Sequence, residues 1–300
     1  MPSFQVEGLY VEHAPAQAPP AATGRPGTRP ALLLVHGAGH GAWCWEHWLG
    51  ALAKRGWTSY ALSLRNHPGS RAVPEAQYLR GTRVDDYADD VEAVARHLAG
   101  RAGAPRLVVV GHSLGGIVVQ RFVARLGEAA ERTPRGASNP AGRSPRGEPD
   151  TGTADVSVAG MILVASVPPA PFGPLRDTPL PEERGYTLDA DTVRQRYFHS
   201  APRSVTDAVF GKLVPESPSV MNEYSLGPGL AISAAHVRCP VLVLTAEHDG
   251  SAVPRDRRIA DFYGGEFLLC QGIGHDLMLD TGWEGPLDAV AAWLERHWPG

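Results

Sequence analysis

Three residues of this 300-residue chain have the types and surroundings needed for nucleophilic acyl chemistry: Ser113 in Gly111-His-Ser-Leu-Gly115, Asp249 in Glu247-His-Asp-Gly250, and His275 in Gly272-Ile-Gly-His-Asp276. A serine hydroxyl is a weak nucleophile at neutral pH. It needs a histidine within hydrogen-bond reach to take its proton, and an acid to fix the histidine's tautomer. The carbonyl it attacks becomes an oxyanion, which calls for fixed donors. Two backbone amides are candidates: that of Leu114, next to the serine, and that of Ala38 in the glycine-rich loop His36-Gly-Ala-Gly-His-Gly41. His36, His40, His112 and His248 compete with His275 for the role of base, and Glu247 and Asp276 compete with Asp249 for that of acid. His275 is favoured for its glycine-flanked loop. Asp276 is too near His275 in sequence to reach its far nitrogen comfortably.

These residues need a scaffold that brings distant loops together. Leu107 to Val110 is an apolar run fit for a buried parallel strand, and Ile117 onward continues as a helix with no breaker until Gly127. Strand, sharp turn and helix are the context of a nucleophile elbow, in which a strained turn exposes the serine at the strand's carboxyl end. Further strands are expected at Ala31 to Val35, Thr58 to Leu64, Val156 to Val164, Pro240 to Thr245 and Glu266 to Leu269, alternating with helices near Glu46 to Arg55, Val84 to Leu98 and Arg255 to Tyr263. Such alternation makes an α/β fold with a mostly parallel central sheet flanked by helices, and puts ligands at the strands' carboxyl ends. Ser113, Asp249 and His275 each follow a strand, so they are expected at one edge of the sheet.

The remaining segments fill out the domain plan. Phe4 to Val11 alternates loosely and reads as one edge strand, followed by a Pro/Ala/Gly connection from Ala14 to Pro30. Glu128 to Asp155 is rich in breakers and poor in apolar residues, so it is expected to be a disordered surface insertion. Phe172 to Ser233 has short helical patterns, Ala190 to Phe198 and Ser204 to Leu213, set between prolines, and Trp283 to Trp298 closes the chain as an amphipathic helix. We therefore expect a core of residues 1–167 and 234–300, carrying the 128–155 insertion, with a small helical cap at 168–233.

A net charge of -4 and a pI near 6.3 leave no electrostatic footprint for nucleic acid. No apolar run approaches a membrane span, and the first residues lack a basic segment followed by an apolar one, so the expectation is a cytoplasmic protein with no membrane partner. Three widely spaced cysteines, Cys44, Cys239 and Cys270, fit no zinc spacing and read as small buried hydrophobes. No metal is expected. The chain's length sets no oligomeric state.

His36-Gly37, Gly111-His-Ser-Leu-Gly-Gly116, the acid at Asp249 and Gly274-His-Asp276 together resemble the α/β-hydrolase superfamily. More narrowly, His-Gly-x-x-His-Gly-Ala-Trp-Cys-Trp at 36 to 45 is similar to the plant methylesterase and hydroxynitrile lyase group and its bacterial relatives. The resemblance implies a cofactor-free enzyme with Ser113, Asp249 and His275 as its triad, the amides of Ala38 and Leu114 as oxyanion donors, and a pocket roofed by the cap. The expected pocket residues are Gly37, Gly39, His40, Val167, Phe172, Tyr197, Phe198, Phe210 and Leu277. An apolar cleft with few polar groups suits a small or medium uncharged ester, a methyl ester among them. Lyase, thioesterase or biosynthetic tailoring chemistry on the same triad is the alternative, and a slow-turnover receptor a further one. A lyase of the plant type would add a cap lysine, for which Lys212 is the candidate. The family's Arg-Gly-His-Gly is here Arg65-Asn-His-Pro68.

Overall fold

The chain enters with a hairpin: β1 (Ser3–Val6) and β2 (Leu9–Ala14) pair antiparallel. They turn through Glu7 and Gly8 at φ 49° and 79°, both positive as a two-residue hairpin turn requires. Phe4 to Val11 is therefore two strands rather than one, because so short a turn reverses the chain with little break in the apolar pattern. The computed structural model describes residues 1–17, 29–100, 106–132, 156–170, 172 and 174–299.

The other strands are β3 (Ala31–Val35), β4 (Ser59–Leu62), β5 (Leu107–His112), β6 (Val158–Val164), β7 (Val241–Ala246) and β8 (Glu266–Cys270). Across the sheet the order is β1-β2-β4-β3-β5-β6-β7-β8. β2 meets β4 antiparallel, and every pair from β4 to β8 is parallel. β3, β5 and β7 are buried at every residue, as strands covered on both faces must be. β8, at the edge, is mostly open to solvent.

The flanking helices are α1 (Glu46–Lys54), α2 (Glu75–Arg80), α3 (Val84–Ala99), α4 (Leu114–Arg132), α5 (Ala190–Tyr197), α6 (Arg203–Phe210), α7 (Pro218–Ser225), α8 (Arg258–Tyr263) and α9 (Glu284–His297). α3 starts with Asp85 and Asp86 in its first turn, which favours the positive end of its dipole, and buries a stripe of Val84, Tyr87, Val91, Val94 and Leu98. Of the cysteines, Cys44 and Cys270 are buried and Cys239 half-buried, and none is bonded to another. No helix among the described residues is long and apolar enough to cross a membrane.

α4 does not stop at Gly127 but continues to Arg132. A helical glycine costs only about 1 kcal/mol relative to alanine, and here it is needed: a Cβ at Gly127 would stand 2.1 Å from the carbonyl oxygen of His236. The extra turn is tied down by Glu131, which meets both Arg238 and, at 3.2 Å, His236. Residues 128–132 therefore belong to the helix, and 133–155, the rest of the expected insertion, lie outside the described residues.

Among its described residues, the span 168–233 carries α5, α6 and α7 and no strand of the sheet. α7 and α2 have no clear apolar period, and their positions come from capping and packing: Ser217 caps α7 by accepting from Val220 N–H at 3.3 Å, and α7 lies on α2 and α3. Val193, Phe198 and Val209 form a small apolar cluster separate from the main core.

Candidate functional site

Ser113 sits at φ 52°, a left-handed conformation whose cost for a non-glycine residue is about 1 to 3 kcal/mol. The turn around it holds that strain. Ser113 N–H donates to Val164 C=O at 3.0 Å, and Ser113 C=O accepts from Gly116 and Val167 at 2.9 and 3.1 Å. Neither Gly111 nor Gly116 has room for a side chain, since a Cβ would stand 2.3 Å from Gly115 O on the first and 2.0 Å from Ser166 Oγ on the second.

Leu114 is the first residue of α4, so its N–H has no acceptor within the helix. Ala38 N–H has no hydrogen-bond acceptor among the described residues. The loop bearing Ala38 presses on the serine: a Cβ at Gly37 would stand 3.1 Å from Ser113 Cβ.

The loop after β7 supplies Asp249 and the loop after β8 supplies His275, both buried. His275 Nδ1 lies 2.7 Å from Asp249 Oδ2. Ser251 supports both, its N–H donating to Asp249 Oδ1 at 2.7 Å and its Oγ lying 3.2 Å from His275 Nδ1. Burial alone would lower the basicity of His275, but the charge and hydrogen bond of Asp249, aided by Asp276, outweigh it and raise its pKa. Burial likewise works against the Asp249 carboxylate, and His275 with Ser251 brings its pKa below the ordinary value.

The rival residues are engaged elsewhere. His36 Nε2 accepts from Leu64 N–H at 3.1 Å, and burial with the neighbouring His67 charge keeps it neutral. His112 Nε2 donates to the carbonyl of His275 at 3.0 Å. Burial and the His275 charge push His112 down to about 3. His40 spans Ala38 C=O and Asp276 Oδ2 at 2.9 and 3.1 Å. Exposed His248 stacks on His199, and Glu247 accepts from Gly272 N–H. Asp276 faces His40 and His112; burial opposes its charge, and those histidines keep its pKa low. His112, His275 and Asp276 offer ligand atoms within 4.8 Å of one another. His275 Nδ1 is held by Asp249 and Asp276 Oδ2 by His40, while His112 Nδ1 and Asp276 Oδ1 are buried without a hydrogen-bond partner among the described residues.

Two adjoining cavities open at this point. Ser113 and His275 share the smaller, of about 100 Å³, with Ala38, Val167, Tyr186, Tyr197 and Tyr224. The larger, of about 300 Å³, shares Ala38, Tyr186, Leu188 and Tyr197 with it and extends over Gly39, Phe210, Leu213 and Val214. Of the expected pocket residues, Val167, Tyr197, Gly39 and Phe210 line these chambers, and Gly37 backs the serine. The other four do not. His40 is drawn into the Asp276 pair, Leu277 is fully buried in the main core, Phe198 fills the small apolar cluster, and Phe172 packs on Phe262 at 5.6 Å. Lys212 also lies outside both linings, its Nζ 5.1 Å above the Trp43 ring.

Glu216, unremarkable in the sequence, is the buried anchor of the segment over the site. Its Oε2 accepts from Gly39 N–H at 3.0 Å and lies 3.1 Å from His67 Nε2; its Oε1 accepts from Tyr87 OH at 2.6 Å. Burial opposes its charge, but the charge and hydrogen bond of His67, with Tyr87, bring the Glu216 carboxyl down to about 2. Val214 N–H donates to Gly39 C=O at 2.9 Å, so both polar groups of Gly39 are tied to this segment. Ser251 could have been suspected from its place two residues after Asp249. Glu216 lies far from every motif and gave no signal.

Solved structures share this architecture. A thermophilic esterase from Thermogutta terrifontis superposes with TM-score 0.65 at 18% identity, covering 97% of this chain and 94% of its own. Methylesterase MES16 from Arabidopsis gives 0.61 at 16% identity, covering 89% and 98%. At such identities the likeness is one of fold. In sequence, the chain is 36% identical over 86 residues to probable esterase PIR7A of rice (Oryza sativa subsp. indica), a match spanning 29% of this chain and 30% of that protein. A model of the alpha/beta hydrolase family matches residues 32–293. The chain belongs to the alpha/beta hydrolase family.

Proposed function

We propose that this protein is a serine hydrolase that cleaves a small or medium carboxylic ester through an acyl-enzyme. The observation that carries the reading is the 2.7 Å contact between Asp249 and His275 beside a cavity that His275 shares with the strained Ser113. Asp249 holds the Nδ1 proton of His275, leaving Nε2 free to accept one. The Ser113 Oγ–H proton passes to His275 Nε2 as the Oγ–carbon bond forms, and the carbonyl oxygen takes the negative charge facing the N–H groups of Ala38 and Leu114. On collapse the ester carbon–oxygen bond breaks and the proton moves from His275 to the departing alcohol. Water, deprotonated by His275, then releases the acid. The largely apolar wall of the larger chamber suits the alcohol part, methyl or larger. Lys212, held over Trp43, does not favour the lyase alternative.

Intact mass after treatment with a fluorophosphonate, with p-nitrophenyl acetate through decanoate as substrates, tests the reading. Stoichiometric labelling lost in Ser113→Ala, with turnover at some chain length, is expected. A folded protein that neither labels nor turns over would overturn it.

A further inference from the structure

The smaller chamber carries positive charge that its own wall does not answer. Arg176 and Arg196 line it with Ser113 and His275, and no Asp or Glu is among its lining residues. Arg176 Nε is buried without a hydrogen-bond partner. The backbone beneath it is fixed, with the N–H groups of Leu175 and Arg176 both donating to Ser225 C=O at 2.9 and 3.0 Å. Its guanidinium lies 5.7 Å over the Tyr186 ring, a contact that steadies a cation without neutralising it. Two other arginines are treated differently. Arg194 is held between Asp191 and Asp207 at 2.8 and 3.2 Å, and Arg65 between Asp86 and Asp90 at 3.0 and 2.8 Å. Among the described residues, neither Arg176 nor Arg196 has such a carboxylate.

A half-buried guanidinium with an idle N–H is a poor structural element but a good receptor, because its planar fork matches a carboxylate by two hydrogen bonds. We infer that the acyl part of the substrate ends in its own carboxylate: the site takes a half-ester of a short dicarboxylic acid, with the ester carbonyl at Ser113 and the free carboxylate at Arg176. Arg196, exposed at the mouth, adds charge to the entrance. The chamber is the smaller of the two, about 100 Å³ against about 300 Å³, so the acyl chain is short. The larger chamber receives the alcohol. This inference rests on the hydrolase reading above and narrows the expected uncharged ester to an anionic one.

The test compares monobutyl succinate with butyl succinamate, in which a carboxamide replaces the carboxylate at nearly constant shape. The half-ester should exceed the half-amide at least tenfold in kcat/KM, with the preference shrinking as salt rises from about 20 to 500 mM. Arg176→Gln should reduce the ratio of the two by tenfold or more, and Arg196→Gln by less. Equal or better turnover of the half-amide overturns the inference, as does a ratio untouched in Arg176→Gln. Should Arg176→Gln not fold, the preference of the unaltered protein and the Arg196→Gln ratio decide. Calorimetry of succinate and succinamate binding needs no turnover: selective binding of succinate supports the anion site even if fluorophosphonate labelling refutes the hydrolase, and indifference between the two refutes the anion site alone.

Discussion

Glu216 accepts the amide N–H of Gly39 at 3.0 Å from a segment 177 residues further along the chain. The carboxylate thereby ties the roof of the site to the loop carrying Ala38, the proposed oxyanion donor. Its second oxygen is spent on Tyr87 and Ser217, so no part of it is free to do chemistry.

Glu216→Gln should therefore lower stability by about 3 to 5 kcal/mol, the cost of breaking a buried pair and leaving His67 uncompensated, and it should lower kcat more than it raises KM. Chemical denaturation and steady-state kinetics check both. The pH dependence has a definite sign. Glu216, at about 2 in the folded chain against 4.5 in the free side chain, contributes stability above pH 4.5 that is lost as pH falls toward 2. For His67, burial lowers the pKa but Glu216 more than restores it, so its contribution is full below 6.5 and lost as pH rises through the raised value. The stability difference between the unaltered protein and Glu216→Gln should be greatest between about pH 4.5 and 6.5.

Asp249→Asn should cut kcat by about 10³ to 10⁴-fold, because an amide at that place stabilises the wrong tautomer of His275. Stopped-flow acylation with p-nitrophenyl acetate measures it, and a loss under tenfold would remove Asp249 from the proposed role.

The acid limb of kcat/KM should have its midpoint above the ordinary histidine value of 6.5. As the proposed base, His275 would act only when neutral, and although burial lowers its pKa, Asp249 and Asp276 raise it further. Asp276→Asn removes one of those charges, so the limb should move toward lower pH. An unmoved or upward-moving limb in the pH profile would show that Asp276 is not sensed by the base.

Gly127→Ala separates helix propensity from packing. Propensity alone promises about 1 kcal/mol of gain in a helix interior, but the new Cβ would stand 2.1 Å from His236 O. The variant should be destabilised by about 1 to 3 kcal/mol, with kcat unchanged since the residue lines neither of the cavities beside Ser113. Urea melts and a single activity assay suffice.

Ser113, Asp249 and His275 could be chosen from the sequence because their signals are local. A strained serine turn needs glycines at fixed offsets, and buried parallel strands such as Leu107 to Val110 and Val241 to Leu244 need unbroken apolar runs. Strand ends in a parallel sheet then place the following loops along one edge. The hairpin at Glu7-Gly8 and the run of α4 through Gly127 are not legible in the sequence for the opposite reason: the turn leaves little mark on the apolar pattern, and the glycine answers to a carbonyl 109 positions away.

What the sequence determined by itself is the parallel part of the sheet, the elbow and the identity of the loops that follow its strands, since each follows from periodicity and backbone sterics over a few residues. Only the tertiary structure decided that Glu216 holds Gly39, that His40 and His112 turn to Asp276, that Phe172, Phe198 and Leu277 pack away from the cavities, and that Arg176 lines the serine's chamber with no carboxylate paired to it among the described residues. Hydrogen bonds and side-chain packing between segments far apart in the chain have no period and no fixed spacing, so their partners are set by three-dimensional proximity alone.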